Sequence, residues 1–179
     1  VDEGYAANAV ALASRHFCTA ERQFRTPLDY GGKRTPTAQW TVTGCGSVMA
    51  ERFGRHAFVT GAQIGRVVDL GVKDANNMGA AMAPAAADTI TAFFKETNTK
   101  PSDYDLILTG DLGKLGKNLM IELMKENGFD ISHIYNDCGC MIFYPEQTAP
   151  MGASGCGCAA TVFNGCVRQN LLSGKVKNI

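Results

Sequence analysis

The sequence lacks an excess of charge of either sign, and it lacks a long apolar run. Its 179 residues carry 17 basic and 17 acidic side chains, so the formal net charge is zero. A general nucleic-acid binder needs a basic excess to displace counterions, and we therefore expect no nucleic-acid partner. No run of 18 apolar residues is present, which argues against a membrane-spanning helix. The start, Val1-Asp2-Glu3-Gly4, lacks the apolar region of a signal peptide.

Low-complexity tracts are also missing, while 45% of the residues are hydrophobic. That composition is typical of a folded chain rather than a disordered one. A length of 179 residues suits one domain with a sizeable core, and hardly two.

Cysteine is abundant, with seven residues, an odd number. In a chain without a secretion signal, this count favours free thiols or a metal site over a disulfide framework. Two C-x-C pairs occur, Cys138-Gly139-Cys140 and Cys156-Gly157-Cys158. Zinc sites usually have two residues between paired cysteines, so we interpret these thiols as small packing residues, with metal binding as the alternative.

Apolar periodicity predicts an alternation of strands and helices. The predicted strands are Asn8–Ser14 (buried), Trp40–Met49, Ala57–Val68, Tyr104–Thr109 and a short Ile131–Tyr135. The first predicted helix begins at Pro84 and ends near Asn98. The second runs from Leu115 to Asn127 with Gly128 as C-cap, and the third covers Cys156–Leu172. Thr26–Thr37 is a predicted loop. This order indicates an α/β protein with a mixed, mostly parallel sheet layered with helices.

Both ends of the pattern are incomplete. The first strand begins with no helix to cover it, and Lys175–Ile179 resembles the opening of another strand. Because a parallel sheet needs cover on both faces, we expect this chain to be part of a longer protein.

The charged stretch after the first strand has two interpretations. His16, Arg22 and Arg25 suit an anion site, because guanidinium groups match a carboxylate with two parallel hydrogen bonds. Alternatively, Glu21 and Asp29 pair with these arginines in a structural salt-bridge cluster, which is the interpretation we favour.

Several long stretches carry a family resemblance. They are Thr19-Ala20-Glu21-Arg22-Gln23-Phe24-Arg25 with Tyr30-Gly31-Gly32 after it, Gly65-Arg66-Val67-Val68-Asp69-Leu70-Gly71, Met78-Gly79-x-Ala81-Met82-Ala83-Pro84-Ala85-Ala86-Ala87-Asp88-Thr89-Ile90, Asp103-Tyr104-Asp105-Leu106-Ile107-Leu108-Thr109-Gly110-Asp111-Leu112 and Asn136-Asp137-Cys138-Gly139. In these stretches, spread over nearly the whole chain, the sequence resembles the stage V sporulation protein AD family of spore-forming Firmicutes.

The resemblance implies a thiolase or ketoacyl-synthase III fold, in which two similar halves form five αβαβα layers. Residues 1–50 would hold the last strands of the first half and its loop. Residues 51–179 would form the second half without its final strands. A homodimer through the region of Asn8–Ser14 is implied as well.

The resemblance also locates an acyl-transfer site in which two catalytic side chains are missing. Gly110-Asp111-Leu112 stands where the enzymes of this superfamily have a histidine, and Ala153 stands about where they have an asparagine. Neither glycine nor alanine donates a side-chain hydrogen bond, so we expect no enzyme activity and no cofactor. One alternative is an acyltransferase that uses acyl-CoA or an acyl carrier, with its nucleophile in the other half. Another is a purely structural assembly subunit that uses the dimer face of the superfamily.

A non-catalytic binding protein is therefore the expectation. The resemblance implies binding of dipicolinic acid, free or with calcium, and a part in its uptake into the spore and its release in germination. The expected ligand-binding residues are His16, Arg22, Met78, Met82, Gly110, Asp111, Leu112, Ala153 and Ser154. The expected partners are membrane subunits of the same transport assembly, with the protein peripheral on the cytoplasmic side of the forespore or spore inner membrane.

Overall fold

The computed structural model describes residues 3–17, 35–54, 57–147 and 149–179. The strands are β1 (Asn8–Arg15), β2 (Trp40–Thr41), β3 (Gly44–Glu51), β4 (Ile107–Thr109), β5 (Tyr135–Asp137) and β6 (Ala153–Ser154). The α-helices are α1 (Met78–Thr97), α2 (Gly113–Glu126), α3 (Cys138–Met141), α4 (Cys156–Val162) and α5 (Arg168–Leu172). The chain is therefore mixed α/β, as the sequence predicts.

Within the described residues, the strands pair in three short sheets. β1 and β3 form an antiparallel hairpin from the pair Asn8–Glu51 to the pair Arg15–Gly44. β2 pairs in parallel with β6, and β4 pairs in parallel with β5. α2 connects β4 to β5, which is the crossover that a parallel pair requires.

A first core lies between α1, α2 and the β4–β5 pair. Ala83, Ala87 and Phe94 recur at helical spacing on one face of α1, and they pack with Met120 and Met124 of α2. The two helices meet at glycines: a Cβ on Gly79 would lie 2.6 Å from the Leu112 carbonyl oxygen and 2.8 Å from the Gly116 nitrogen. Close approach at this crossing therefore requires glycine.

A second core lies beneath the ends of β2 and β6. It contains the buried residues Val42, Cys138, Ala153, Cys158, Val162 and Val167. α4 continues through a π-helical segment, Phe163–Val167, into α5, so the predicted helix over Cys156–Leu172 is confirmed with a π interruption.

The first long helix begins earlier than predicted. It starts at Met78, where the Asn77 side chain accepts the Ala80 N–H at 3.3 Å, and Pro84 lies inside it. The prediction that Pro84 begins the helix is wrong, because the Asn77 cap and the small residues after it form the first turn upstream of the proline.

The second long helix spans Gly113–Glu126, close to the predicted Leu115–Asn127, but its C-cap is Asn127 and the predicted cap Gly128 is the residue after it. The Phe129 N–H donates to the Met124 carbonyl and the Gly128 N–H to the Lys125 carbonyl. These two bonds form a Schellman motif, and Gly128 supplies the positive φ of 88° that the motif needs.

Strand positions depart further from prediction. The stretch 57–74 contains no strand or helix, because no described backbone lies alongside to complete a ladder. Its contacts are instead with α1, where the Arg66 guanidinium makes two hydrogen bonds to Asp88, at 2.8 and 2.6 Å.

Two further strand predictions need correction. β1 has the predicted position but is not buried: Leu12 is 69% exposed, because no described segment covers the outer face of the hairpin. β5 lies at Tyr135–Asp137 rather than 131–135, because a turn closed by the Ile131 carbonyl precedes it.

Candidate functional site

Three predicted site segments come together at the carboxyl end of β4. The Asp111 carboxylate accepts the Gly155 N–H at 2.7 Å, which joins residues 110–112 to the segment after β6. Gly79, at the start of α1, packs against the Leu112 carbonyl oxygen. The structure thus brings Gly110, Asp111, Leu112, Ala153 and Ser154 together.

A buried glutamine, Gln39, holds residues 110–112 and 153–155 together. It was not predicted from the sequence. Gln39 immediately precedes β2, and its side-chain nitrogen donates to the Asp111 carbonyl at 2.8 Å and to the Ala153 carbonyl at 2.6 Å. Gln39 is only 4% exposed. No motif marks this residue, because a glutamine in a short apolar stretch resembles any surface residue until its partners are known.

Asp137 forms a second buried centre beside the site. Its carboxylate accepts the backbone N–H groups of Leu112, Gly113 and Gly139, each at 2.9 Å, and the Thr109 hydroxyl at 2.7 Å. Burial raises the pKa of this carboxyl, and the four donors act in the opposite direction. The carboxylate therefore ties β4, α2 and α3 together at one point.

Three thiols near the site, those of Cys138, Cys140 and Cys158, are poor nucleophiles. Burial raises the pKa of Cys138 to about 12 and that of Cys140 to about 11, and it raises the pKa of Cys158 as well. A reactive cysteine needs a lowered pKa and access to solvent. Cys138 and Cys158 are buried, as the packing interpretation predicts, whereas Cys156 is exposed. Among the described residues, no group of three metal-binding side chains is close enough to hold an ion.

An apolar groove of about 400 Å³ runs from the end of β4 along α4. Its walls include Ala11 and Ala13 of the hairpin, Gly110 and Cys138, and Ala159 and Phe163. Thr109 and Asn164 add polar atoms to a largely apolar lining. The groove therefore suits a flat or apolar ligand held by a few polar contacts.

Arg15 is, among the described residues, a cationic side chain that lies beside the start of α4. It follows Ala13 by two residues on β1, which places both side chains on the same face of the strand. Methyl groups at Gly155 and Gly157 would lie 3.3 and 3.1 Å from Arg15 side-chain carbons, so its stem lies across the start of α4. The predicted site contains the neighbouring His16 and does not contain Arg15.

The other predicted site residues take no part in the hydrogen bonds described above. His16 is exposed, and in the part of the chain that the structure describes its side chain makes no hydrogen bond to residues 110–112 or 153–154. Met78 begins α1 and is 37% exposed, and Met82 packs against the first core. The predictions for Arg22, and for Glu21, Arg25 and Asp29, lie outside the described residues.

Comparison with known proteins agrees with the resemblance seen in the sequence. The family model of stage V sporulation protein AD matches residues 1–179. The chain is 45% identical over 179 residues to the stage V sporulation protein AD of Bacillus subtilis (strain 168). The alignment covers 100% of the chain and 53% of that relative, so the chain spans about half the length of the curated relative it matches.

Proposed function

Because the chain belongs to the stage V sporulation protein AD family, and is thus a sporulation protein, we propose that it forms part of a dipicolinic acid-binding protein. The ligand is pyridine-2,6-dicarboxylate, free or as its calcium chelate. The protein supports uptake of this compound into the developing spore and its release in germination, without catalysing a reaction.

The observation that carries this proposal is the convergence of residues 110–112 and 153–155 beside the apolar groove. The Asp111–Gly155 hydrogen bond of 2.7 Å and the two bonds from Gln39 hold these segments together, and Gly110 itself lines the groove. An aromatic ring suits the apolar walls, and its carboxylates suit the polar atoms of Thr109 and Asn164. Arg15, with its planar guanidinium, is the residue we propose for a carboxylate.

Residue identity supports binding rather than acyl transfer. Gly110 and Ala153 occupy the positions where the resemblance implies a histidine and an asparagine. The raised pKa values of Cys138 and Cys158 leave these thiols protonated near neutral pH. The alternative is an acyltransferase using acyl-CoA or an acyl carrier, with its nucleophile supplied by the other half of the full-length protein.

Membrane subunits of the same spore transport assembly are the partners we propose, with the protein peripheral at the inner membrane and homodimeric. Within the residues that the structure describes, no helix has the length and apolar character needed to cross a bilayer. Contact with the membrane would therefore be made through those subunits.

Calorimetric titration of the full-length protein tests the proposal. We expect saturable heat with dipicolinate and much weaker binding of isophthalate, which keeps the ring and both carboxylates but lacks the nitrogen. Heat with acyl-CoA and none with dipicolinate would replace this function with the acyltransferase. If dipicolinate, isophthalate and acyl-CoA all give no heat, both dipicolinate and acyl-CoA are rejected as ligands.

A further inference from the structure

The Gln39 side chain connects three segments of the site through one nitrogen. Its two amide hydrogens are directed to the carbonyls of Asp111 and Ala153, at 2.8 and 2.6 Å. The Asp111 carbonyl belongs to the loop after β4 and the Ala153 carbonyl to β6, while Gln39 itself immediately precedes β2. A single residue thus sets the spacing between the two predicted ligand-binding segments.

The amide is enclosed on its remaining side by Gly113. A Cβ at this glycine would lie 2.5 Å from the Gln39 side-chain nitrogen and 2.5 Å from the Met151 carbonyl oxygen. Gly113 also has a φ of 70°, which disfavours any other residue. The side chain of Gln39 therefore has little room for a second rotamer.

The hydrogen bonds close a ring. Gln39 binds the Asp111 backbone, the Asp111 carboxylate binds the Gly155 N–H, and Gly155 follows β6, whose Ala153 carbonyl returns to Gln39. Removing the amide would open the ring at two places and leave the hydrogen bond between the Asp111 carboxylate and the Gly155 N–H as its one remaining hydrogen bond. The carboxylate of Asp137, by contrast, fixes the opposite side of the same loop without Gln39.

We propose that Gln39 is a positioning residue of the ligand site. It does not touch the ligand, and it acts by holding Asp111 and β6 at the separation that binding requires. For the identity of the ligand, the inference rests on the proposed function; for the bracing role, it rests on the hydrogen-bond ring.

The test is Gln39→Met in the full-length protein, read by hydrogen exchange at single residues. Methionine keeps the length of the side chain and removes both donors. We expect exchange of the Gly155 amide to accelerate by about tenfold, since two hydrogen bonds of the ring are lost. The Gly139 amide, which binds Asp137, is the internal control and should change by less than about twofold.

Dipicolinate affinity gives the second readout, with an expected loss of about tenfold in Gln39→Met. Equal acceleration at Gly155 and Gly139 would mean general loosening, and no acceleration would mean no bracing; either result overturns the inference. If wild-type protein fails to bind dipicolinate, the proposed function fails, while the exchange result still decides the bracing role.

Should Gln39→Met not fold, the wild-type protein supplies the decisive measurement. Hydrogen-bond scalar couplings from the Gln39 side-chain nitrogen to the carbonyl carbons of Asp111 and Ala153 are expected in NMR spectra. Their absence, with rapid exchange of both Gln39 amide protons, would overturn the inference.

Discussion

Asp137 satisfies four donors with one carboxylate that solvent does not reach. In Asp137→Ala, three backbone N–H groups and the Thr109 hydroxyl lose their acceptor at once. We expect the free energy of unfolding to fall by about 3–5 kcal/mol, measured by urea denaturation. Asp130→Ala is the matched control, because in the described part of the chain that exposed carboxylate accepts hydrogen bonds from Ser132 alone. Equal losses in the two variants would contradict this account of Asp137.

Because of the Cys138 thiol, we expect the free energy of unfolding to depend on pH in the alkaline range. Its pKa is raised from 9.0 to about 12 in the folded chain, so between these values the unfolded chain releases a proton that the folded chain keeps. This contribution is fully present below pH 9 and is lost as the pH rises toward 12. We expect a steep fall in the free energy of unfolding over that range and a shallower one in Cys138→Ala. The same slope in both proteins would exclude Cys138 as the cause.

Variants of Arg15 test whether its charge, rather than the packing of its stem, contributes to dipicolinate binding. Arg15→Met keeps an apolar stem against Gly155 and Gly157 but removes the charge, so we expect dipicolinate affinity to fall by at least about tenfold. Arg15→Lys should recover part of that loss, because it restores the charge without the fork. Arg168→Met, at an exposed position on α5, is the control in the same calorimetric titration. Unchanged affinity in Arg15→Met would remove Arg15 from the site.

At the scale of helices, the crossing of α1 and α2 leads directly to the ligand segments. Gly79→Ala places a methyl group against the carbonyl of Leu112, the residue after Asp111. We expect a loss of about 1–3 kcal/mol in the free energy of unfolding, as for other overpacked contacts. Gly165→Ala is the control, because no atom lies within 4 Å of the added methyl group. Thermal denaturation of both variants measures the difference, and equal stability would show that the helices separate freely.

The sequence predicts the helices better than the strands, for a physical reason. Helix α2 satisfies its own backbone, and its apolar spacing and Gly128 indicate its span before any partner is known. A strand depends on a neighbour that the local pattern does not specify, so the stretch 57–74 has the composition of a strand without forming one.

Some residues of the candidate site could be predicted from the sequence, and others could not. Gly110, Asp111, Leu112, Ala153 and Ser154 could be predicted, because the family resemblance aligns the segments that contain them. Gln39 could not, because its importance comes entirely from two carbonyls that lie 72 and 114 residues away. Arg15 was missed because only the register of β1 shows which face carries its side chain.

At the scale of the whole molecule, apolar surface remains uncovered. Val10 and Leu12 on the hairpin and Ile64 and Val67 on the stretch 57–74 are each more than 60% exposed. Patches of this kind usually mark surfaces that another chain or domain covers. The chain also spans about half the length of its Bacillus subtilis relative. Ligand experiments therefore belong on the full-length protein, and the division into residues 1–50 and 51–179 stays a prediction.

The form of the ligand follows from the charges that the site presents. Arg15 and Asp111 both lie against Gly155, Arg15 through the stem of its side chain and Asp111 through a hydrogen bond. Their charges are opposite and offset each other, so these two side chains together offer a free dianion no net positive charge. The calcium chelate of dipicolinate is neutral and avoids that cost. We therefore expect dipicolinate with calcium to raise the melting temperature of the full-length protein more than dipicolinate with a calcium chelator.

Mass action gives the scale of this effect. A ligand at about 100 times its Kd stabilises the folded state by about 2.7 kcal/mol, which corresponds to a shift of a few degrees. Calcium alone is the control, because it separates a direct effect of the ion from the effect of the chelate. Equal shifts with and without calcium would identify the free diacid as the ligand. Arg15 would then have to outweigh Asp111, and Asp111→Asn should tighten binding of the diacid.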